Sequence, residues 1–277
     1  MRLKYSLLAK FNILTNKELD FILYIARYQN DVGCVEGVYY RDVCQNTTMC
    51  KQTFYKVLES LTAKGLISYQ KGSHMDYNIR ILQNDCSGEH WKEGYINLNR
   101  KVFRDMRFKK MKVAEKYLVL DFLKNTFSQH GSCKIGVERF YEKYQSLLHV
   151  TKRVLRYYLH TVRRFFAIGI KNRTYFITYL HQEFGKEKQV PATKIYREYR
   201  TKVIMRQLHI PLVQQKEFTD TSDLCKQYGL EATRQGKDIY MILADSIAAS
   251  IFEKKEKCLH AKNIHRIMRI YLNLSNA

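Results

Sequence analysis

Two short segments of the 277-residue sequence, 101 positions apart, carry basic and polar residues spaced to face outward from a helix. The first set is Lys51, Gln52, Thr53, Tyr55 and Lys56, and the second set is Lys152, Arg153, Arg156 and Tyr157. Lysine neutralises phosphate as a point charge, whereas arginine pairs bidentately with guanine and glutamine with adenine. The two sets therefore predict contacts with the bases and phosphates of a nucleic acid. The alternative is an ordinary solvated helix face.

Further basic residues stand in expected turns and in a connecting segment. They are Lys71 beside Ser73 and His74, Lys171 and Arg173 in a second turn, and a run of Arg100, Lys101, Arg104, Arg107, Lys109, Lys110 and Lys112. An arginine at the tip of a hairpin can enter a narrow minor groove. A dense basic run neutralises phosphates and makes affinity fall steeply with salt. A solvated surface is again the alternative for each group.

The sequence as a whole is strongly basic, with 48 Lys and Arg against 26 Asp and Glu and a net charge of +22. Residues 86–185 hold 20 basic and 8 acidic side chains, a net charge of +12, whereas residues 1–85 carry +3 and residues 186–277 carry +7. This excess predicts a polyanionic partner. A hydrophobic content of 45% excludes a wholly disordered basic tail, because such tails lack the residues of a core.

The first outward-facing set belongs to a predicted series of helix, helix, turn, helix and hairpin. The elements are a helix from a capping box at Thr15 and Glu18 to about Asn30, a short helix over 40–45, a helix with its buried stripe at Phe54, Val57, Leu58 and Leu61, and strands over 66–70 and 76–82. The helical spacing of the stripe leaves the polar residues between its members on the outer face.

The same series returns about a hundred residues later. Its elements are a helix over 111–130, a short helix over 137–144, a helix capped by Thr151 and running to about Phe166 with its stripe at Leu155, Tyr158, Leu159 and Val162, and strands over 168–171 and 174–180. At an offset of 101 the two stripes and the two outward-facing sets coincide. The sequence therefore predicts two copies of one module.

These copies resemble the winged-helix family, most clearly over Lys51–Ile67, where an outward polar start is followed by Leu58, Leu61 and Lys64-Gly65-Leu66-Ile67. The start of the second copy is similar to winged-helix domains of plasmid and phage replication initiators of Gram-positive bacteria. The residues that carry this likeness are Gly94–Leu98, Phe103, Phe108–Met111 and Lys116–Leu120. A generic amphipathic start to a helical domain is the alternative.

The resemblance implies a mainly α fold with small β hairpins, made of winged-helix domains over 1–85 and 86–185 and a helical C-terminal domain over 186–277. It implies double-stranded DNA as the partner, bound specifically by a plasmid or mobile-element replication initiator. A transcription regulator that binds promoter DNA through the same surface is the alternative, because regulators use this fold far more often.

The C-terminal segment is predicted to be helical throughout. Its expected helices cover 194–208, 221–228, 233–257 and 261–274. Apolar residues at helical spacing, among them Met241, Ile242 and Ile247, give the long helix one apolar face. Such a face packs either within the domain or against a second copy in a homodimer, and both remain open at this level.

The sequence predicts no catalytic residue, no cofactor and no metal ligand, because it contains no phosphate loop, paired carboxylates or convincing metal spacing. Cys258, His260 and His265 are near in sequence, but on a single helix His260 would face away from the other two. Tyr271, near Arg266 and Arg269, is the nearest approach to a DNA-cleaving tyrosine and lacks the other residues that such a site needs.

Seven cysteines without a Cys-x-x-Cys pair predict neither a disulfide framework nor a zinc ribbon. No uncharged apolar run approaches the roughly 18 residues that span a bilayer. A cytoplasmic protein that does not enter the membrane is therefore expected.

Overall fold

The computed structural model of the chain describes residues 1–72, 76–88, 94–97, 105–128, 131–180, 192–211 and 214–274. Helices account for 60% and strands for 16% of the structure, and the strands form small antiparallel sheets. The prediction of a mainly α protein with small β parts is therefore confirmed. Among the described residues, no helix is long and apolar enough to cross a membrane.

The chain divides into two compact units. The first comprises residues 1–70 and 78–189, and the second comprises residues 71–77 and 190–277. The division at residues 85 and 185, which rests on the expected modules, stays a prediction.

The first unit begins with a short series of elements that precedes the first copy. It consists of β1 (Arg2–Lys4), α1 (Tyr5–Ala9) and a 3-10 turn over Phe11–Ile13. β1 pairs antiparallel with β5 (Tyr95–Asn97), and Leu3 lies opposite Ile96. Both of these side chains are buried, so the N-terminus is built into the core of this unit.

The first copy contains the predicted helices and hairpin. Its elements are α2 (Asn16–Ile25), β2 (Cys34–Tyr39), α3 (Tyr40–Thr47), α4 (Lys51–Ala63), β3 (Ile67–Lys71) and β4 (Asp76–Ile81). The capping box is confirmed, since the Thr15 N–H donates to Glu18 Oε2 at 2.6 Å and the Thr15 hydroxyl accepts from the Glu18 N–H. The predicted stripe of α4 is buried. α2 is shorter than predicted and ends at Ile25.

The second copy has the same order. After the additional short helix α5 (Met106–Lys109), its elements are α6 (Val113–Ser128), β6 (Ser132–Gly136), α7 (Val137–Leu148), α8 (Lys152–Val162), β7 (Phe166–Lys171) and β8 (Thr174–Tyr179). Thr151 caps α8, as predicted, by accepting from the Val154 N–H. α8 stops before Phe166, which is buried at the start of β7.

One strand in each copy escaped the sequence analysis. β2 and β6 each complete a three-stranded antiparallel sheet, with orders β2-β4-β3 and β6-β8-β7. Val35 and Val38 of β2 are buried but lie three positions apart. Gly37, with a φ of 71°, interrupts the alternation of buried and partly buried positions along the strand. The segment therefore lacks the strict period of two that marks a half-buried strand.

The second unit is helical, as expected, with different helix lengths. Its helices are α9 (Ala192–Gln207), α10 (Gln215–Arg234), α11 (Ile239–Lys254) and α12 (Ala261–Tyr271). The short helix predicted over 221–228 is wrong, since α10 has 20 residues. The predicted start of the long helix at Thr233 is also wrong, because Gly236 adopts a φ of 65° and Asp238 caps α11 by accepting from the Tyr240 N–H.

Among the described residues, the core of the second unit is formed by side chains of these four helices, including Phe218, Leu243 and Ile264. Ile242 and Ile247 of the predicted apolar face belong to this core. Met241 and Phe252 are 65% and 85% exposed, respectively. Packing within the unit therefore accounts for part of the apolar face of α11, and a homodimer through it stays a prediction.

Candidate nucleic-acid interface

The first outward-facing set lies at the start of α4. Lys51, Gln52 and Lys56 are exposed, whereas Thr53 and Tyr55 are partly buried. The Thr53 hydroxyl lies 3.1 Å from the Cys50 sulfur, and this hydrogen bond lowers the pKa of the exposed Cys50 thiol. Lys51, Gln52 and Lys56 thus present their polar groups to solvent from the first two turns of the helix.

Two residues that the sequence analysis missed extend this surface. The Lys51 ammonium lies 5.1 Å from the ring centroid of Tyr40, the first residue of α3. Arg41 donates from Nε to the Tyr40 hydroxyl at 3.2 Å, and this hydrogen bond lowers the pKa of that hydroxyl. A cation and an aromatic ring from α3 therefore adjoin the N-terminus of α4.

The second set lies at the start of α8, and its side chains are more exposed than those of the first set. Lys152, Arg153, Arg156 and Tyr157 are all exposed, and Tyr157 is 61% accessible. Arg153 and Arg156 are three residues apart, so they share one face of the helix. Within the described residues, neither guanidinium forms an ion pair with a carboxylate. Both charges are therefore accessible to an external anion.

The Lys51–Tyr40 contact has a counterpart in the second copy. Lys152 Nζ lies 5.3 Å from the ring centroid of Tyr141 in α7. Both partners follow their first-copy equivalents by 101 positions. A lysine over a tyrosine ring is an electrostatic attraction of about 0.5–1 kcal/mol at an exposed site. The same cation–aromatic pair thus sits at the start of the third helix of each copy.

A buried tyrosine pair lies beneath the second set. The hydroxyls of Tyr141 and Tyr175 are 3.2 Å apart. Burial, together with the bond to Tyr141, raises the pKa of Tyr175 to about 12, and the positive charges of Arg156 and Arg163 act in the opposite direction. The positive charges of Arg156 in α8 and of the exposed Arg163 that follows α8 therefore act on Tyr175 beneath the second set.

The two hairpin turns differ. In the second, Asn172 and Arg173 have φ values of 47° and 54°, and Lys171 pairs with Thr174 across the turn. All three turn residues from Lys171 to Arg173 are exposed. Left-handed backbone at both central positions defines a type I′ turn, which prefers glycine at the place that Arg173 occupies. The turn therefore holds an arginine at its tip despite a backbone that disfavours it.

In the first hairpin, Lys71 is exposed at the end of β3. Residues Lys71–Tyr77 group with the second compact unit. Asp76 is buried there and accepts hydrogen bonds from Arg206 at 2.8 Å and from Gln207 at 3.2 Å. Ser73 and His74, which were expected beside Lys71, lie outside the described residues.

Only part of the basic run that precedes α6 is described. Asp105 caps α5 by accepting from the Arg107 N–H at 2.7 Å and also pairs with the Arg107 guanidinium through Nε at 2.8 Å. Lys109 and Lys110 line a cavity of about 250 Å³ together with Asp20 and Arg27. Arg107 is thus partly neutralised by its neighbour. Arg100, Lys101 and Arg104 lie outside the described residues.

Sequence reasoning missed Tyr40, Arg41, Tyr141 and Arg163 because each lies outside the two outward-facing sets. Applying the offset of 101 to the start of the second helix would have found the two tyrosines, since Tyr40 and Tyr141 are equivalent positions. No comparable signal marks Arg41 or Arg163.

Two of the residues considered for catalysis or metal binding, Arg266 and His265, have hydrogen-bond partners within the second unit. Arg266 donates to Glu253 at 2.5 Å and to Asn263 at 3.1 Å. His265 Nε2 lies 2.6 Å from the Tyr228 hydroxyl. Arg266 is therefore held by a carboxylate and an amide of its own unit, and His265 is held by a tyrosine.

The chain was compared with protein-family models, with curated proteins and with solved structures, and none of the three gives a match.

Proposed function

We propose that the chain is a sequence-specific double-stranded DNA-binding protein that uses two winged-helix modules in tandem. The observation that carries the proposal is the repeated placement of a lysine over a tyrosine ring, Lys51 over Tyr40 and Lys152 over Tyr141. Each pair sits at the start of the third helix in an order of helix, strand, helix, helix and hairpin. This is the order and the sheet arrangement expected of a winged helix, with the third helix as the recognition helix.

The exposed starts of α4 and α8 suit insertion into a major groove. A groove about 12 Å wide admits a helix whose N-terminal side chains then reach base edges. Gln52 suits adenine, and Arg153 and Arg156 suit guanine. Lys152 and Lys51 suit phosphates, because each is an exposed point charge at the start of its helix. The +12 charge of residues 86–185 supports stronger phosphate binding by the second copy.

Initiation of replication of a plasmid or mobile element is the biological role that we propose. Both copies belong to one compact unit of a single chain, and their contact sets differ in sequence. Two unlike modules in one chain suit a DNA site that lacks two-fold symmetry. An asymmetric or directly repeated site at a replication origin is of this kind. A promoter-binding regulator would instead favour palindromic half-sites read by a dimer.

Selection of bound duplexes from a random DNA pool at physiological salt tests the proposal. We expect an enriched motif that is asymmetric or directly repeated. Arg153→Ala should change its base preference, whereas Lys226→Ala, which removes an exposed charge outside both copies, should leave the motif and the affinity unchanged. Failure to enrich any motif would refute specific binding. A palindromic motif bound by a dimer would support the regulator instead.

A further inference from the structure

The segment between α11 and α12 brings three potential metal ligands to one point. α11 ends at Lys254, and Lys255 turns the chain with a φ of 56°. Leu259 is buried, and His260 precedes the first residue of α12. Because the segment is a turn and not a continuous helix, the side chains of Glu256, Cys258 and His260 converge. The spacing argument based on a single helix, which separated His260 from Cys258, is therefore wrong.

The ligand atoms of these three residues form a small triangle. Cys258 Sγ lies 3.0 Å from His260 Nε2 and 3.5 Å from Glu256 Oε2, and His260 Nε2 lies 3.2 Å from the same Glu256 oxygen. Tetrahedral zinc with bonds of about 2.0–2.3 Å to oxygen, nitrogen and sulfur separates its ligand atoms by about 3.3–3.6 Å. The two distances to the Glu256 oxygen therefore match one face of a zinc tetrahedron to within about 0.2 Å, whereas the Cys258–His260 distance is about 0.5 Å shorter than that of a zinc-bound pair.

The geometry does not suit a nucleophilic triad. In such a triad, the histidine uses one ring nitrogen for the nucleophile and the other for the carboxylate. Here both Cys258 and Glu256 approach the same nitrogen, Nε2 of His260. A proton relay through the ring is thus excluded for this arrangement, whereas a cation at the centre of the triangle would satisfy all three atoms.

The surroundings hold the histidine in place and suit a dication. The Ala261 N–H donates to Glu217 of α10 at 2.8 Å, which fixes the start of α12 next to His260. A thiolate and a carboxylate together carry two negative charges, which balance one divalent ion. The neighbouring lysines, Lys254, Lys255 and Lys257, are exposed, so water and salt screen their repulsion.

The geometry points to a zinc site formed by Glu256, Cys258 and His260, with solvent at the fourth position. Thiolate and imidazole ligands favour Zn²⁺ over Mg²⁺ and Ca²⁺, which prefer oxygen alone. Bound zinc would join the end of α11 to the start of α12 and thereby stabilise the second unit. The site is independent of the proposed DNA contacts, since none of its ligands belongs to either copy.

Titration of the full-length, chelator-treated protein with Co²⁺ tests this site. We expect one equivalent to produce the visible bands of tetrahedral cobalt and a thiolate-to-cobalt charge-transfer band, and Zn²⁺ to abolish both by displacement. Zn²⁺ should also raise the midpoint of thermal unfolding in proportion to the logarithm of its concentration.

Variants identify the ligands, with far-ultraviolet circular dichroism used to verify that each is folded. Cys258→Ser should remove the charge-transfer band, and His260→Ala and Glu256→Gln should each weaken Co²⁺ binding at least about tenfold. Two matched controls, Cys50→Ser and His265→Gln, should bind as the wild type does. Absence of the charge-transfer band in the wild type, its persistence in Cys258→Ser, or loss of binding in His265→Gln with retention in His260→Ala would overturn the assignment.

Discussion

Lys116 of α6 points its ammonium at the carboxylate of Asp20 in α2, with Nζ 2.7 Å from Oδ1, and its side chain is fully buried. Asn16 accepts a second hydrogen bond from Nζ at 2.8 Å. Burial lowers the pKa of Lys116 and raises that of Asp20, while the bond between them opposes both shifts. Helix α2 of the first copy and helix α6 of the second copy are therefore joined by a charged pair inside the first unit.

Removal of one member of this pair should be costly. Asp20→Ala leaves a buried ammonium without its counter-charge, and we expect it to lower the free energy of unfolding by about 3–5 kcal/mol. The double variant Asp20→Leu with Lys116→Met should recover most of this loss, because apolar residues of similar volume replace buried ion pairs at little cost. Urea unfolding of the wild type, Asp20→Leu, Lys116→Met and the double variant measures the coupling. Additive effects would contradict the pairing.

Glu18 should make the stability of the first copy sensitive to acid. Burial alone raises the pKa of this carboxyl, but hydrogen bonds from Lys64, Ser60 and Thr15 outweigh it and hold the pKa below its ordinary value. The stabilisation is therefore present above the ordinary pKa and is lost as the pH falls through the lower folded-state pKa.

Replacement of Glu18 by glutamine tests whether this stabilisation is lost as the pH falls. At neutral pH, Glu18→Gln should lower the free energy of unfolding by about 1.5–3 kcal/mol, the range for hydrogen bonds to a charged group. The difference from the wild type should shrink as the pH falls below about 4. Chemical unfolding of both proteins over a pH series provides the measurement. Glu59→Gln, at an exposed carboxylate of α4, is the matched control. A difference between Glu18→Gln and the wild type that stays constant with pH would contradict the prediction.

Arg173 should lower the stability of the protein and raise its affinity for DNA. Arg173→Gly relieves a left-handed residue, worth about 1–2 kcal/mol, and adds unfolded-chain flexibility, worth about 0.5–1 kcal/mol. The free energy of unfolding should therefore rise by up to about 1.5 kcal/mol. The binding free energy for DNA should weaken by about 1 kcal/mol or more. Asn172→Gly, which removes no charge from the same turn, should retain the affinity. If Arg173→Gly binds DNA as tightly as the wild type does, Arg173 does not contact DNA.

Lys152 and Arg153 should differ in their effects on DNA binding. Lys152→Ala should weaken binding about equally for all sequences and reduce the slope of log affinity against log salt by about 1. Arg153→Ala should cost about 1–3 kcal/mol on the selected site and relax the preference at one base pair. Fluorescence anisotropy measures the affinity of each variant for the selected duplex and for duplexes with single-base changes, over a series of salt concentrations. These data distinguish a phosphate contact by Lys152 from a base contact by Arg153. Identical effects from both substitutions would contradict the assigned roles.

Local patterns in the sequence determined much of the fold. The caps at Thr15 and Thr151 and the buried stripes of α4 and α8 follow from neighbours three or four residues apart, and the structure confirms them. The basic face of each helix follows from the same spacing. The offset of 101 between the copies is likewise a property of the chain alone.

Tertiary structure decided the features that join residues from separate elements. β2 forms because its backbone pairs with β4, although Gly37 interrupts the period of two in the sequence of this strand. Lys116 has its side chain in the core because α2 supplies Asp20 across 96 positions of sequence. Glu256, Cys258 and His260 come together because Lys255 turns the chain with a left-handed backbone after α11. Hydrogen bonds, counter-charges and burial of this kind depend on distances in space, which local spacing does not encode.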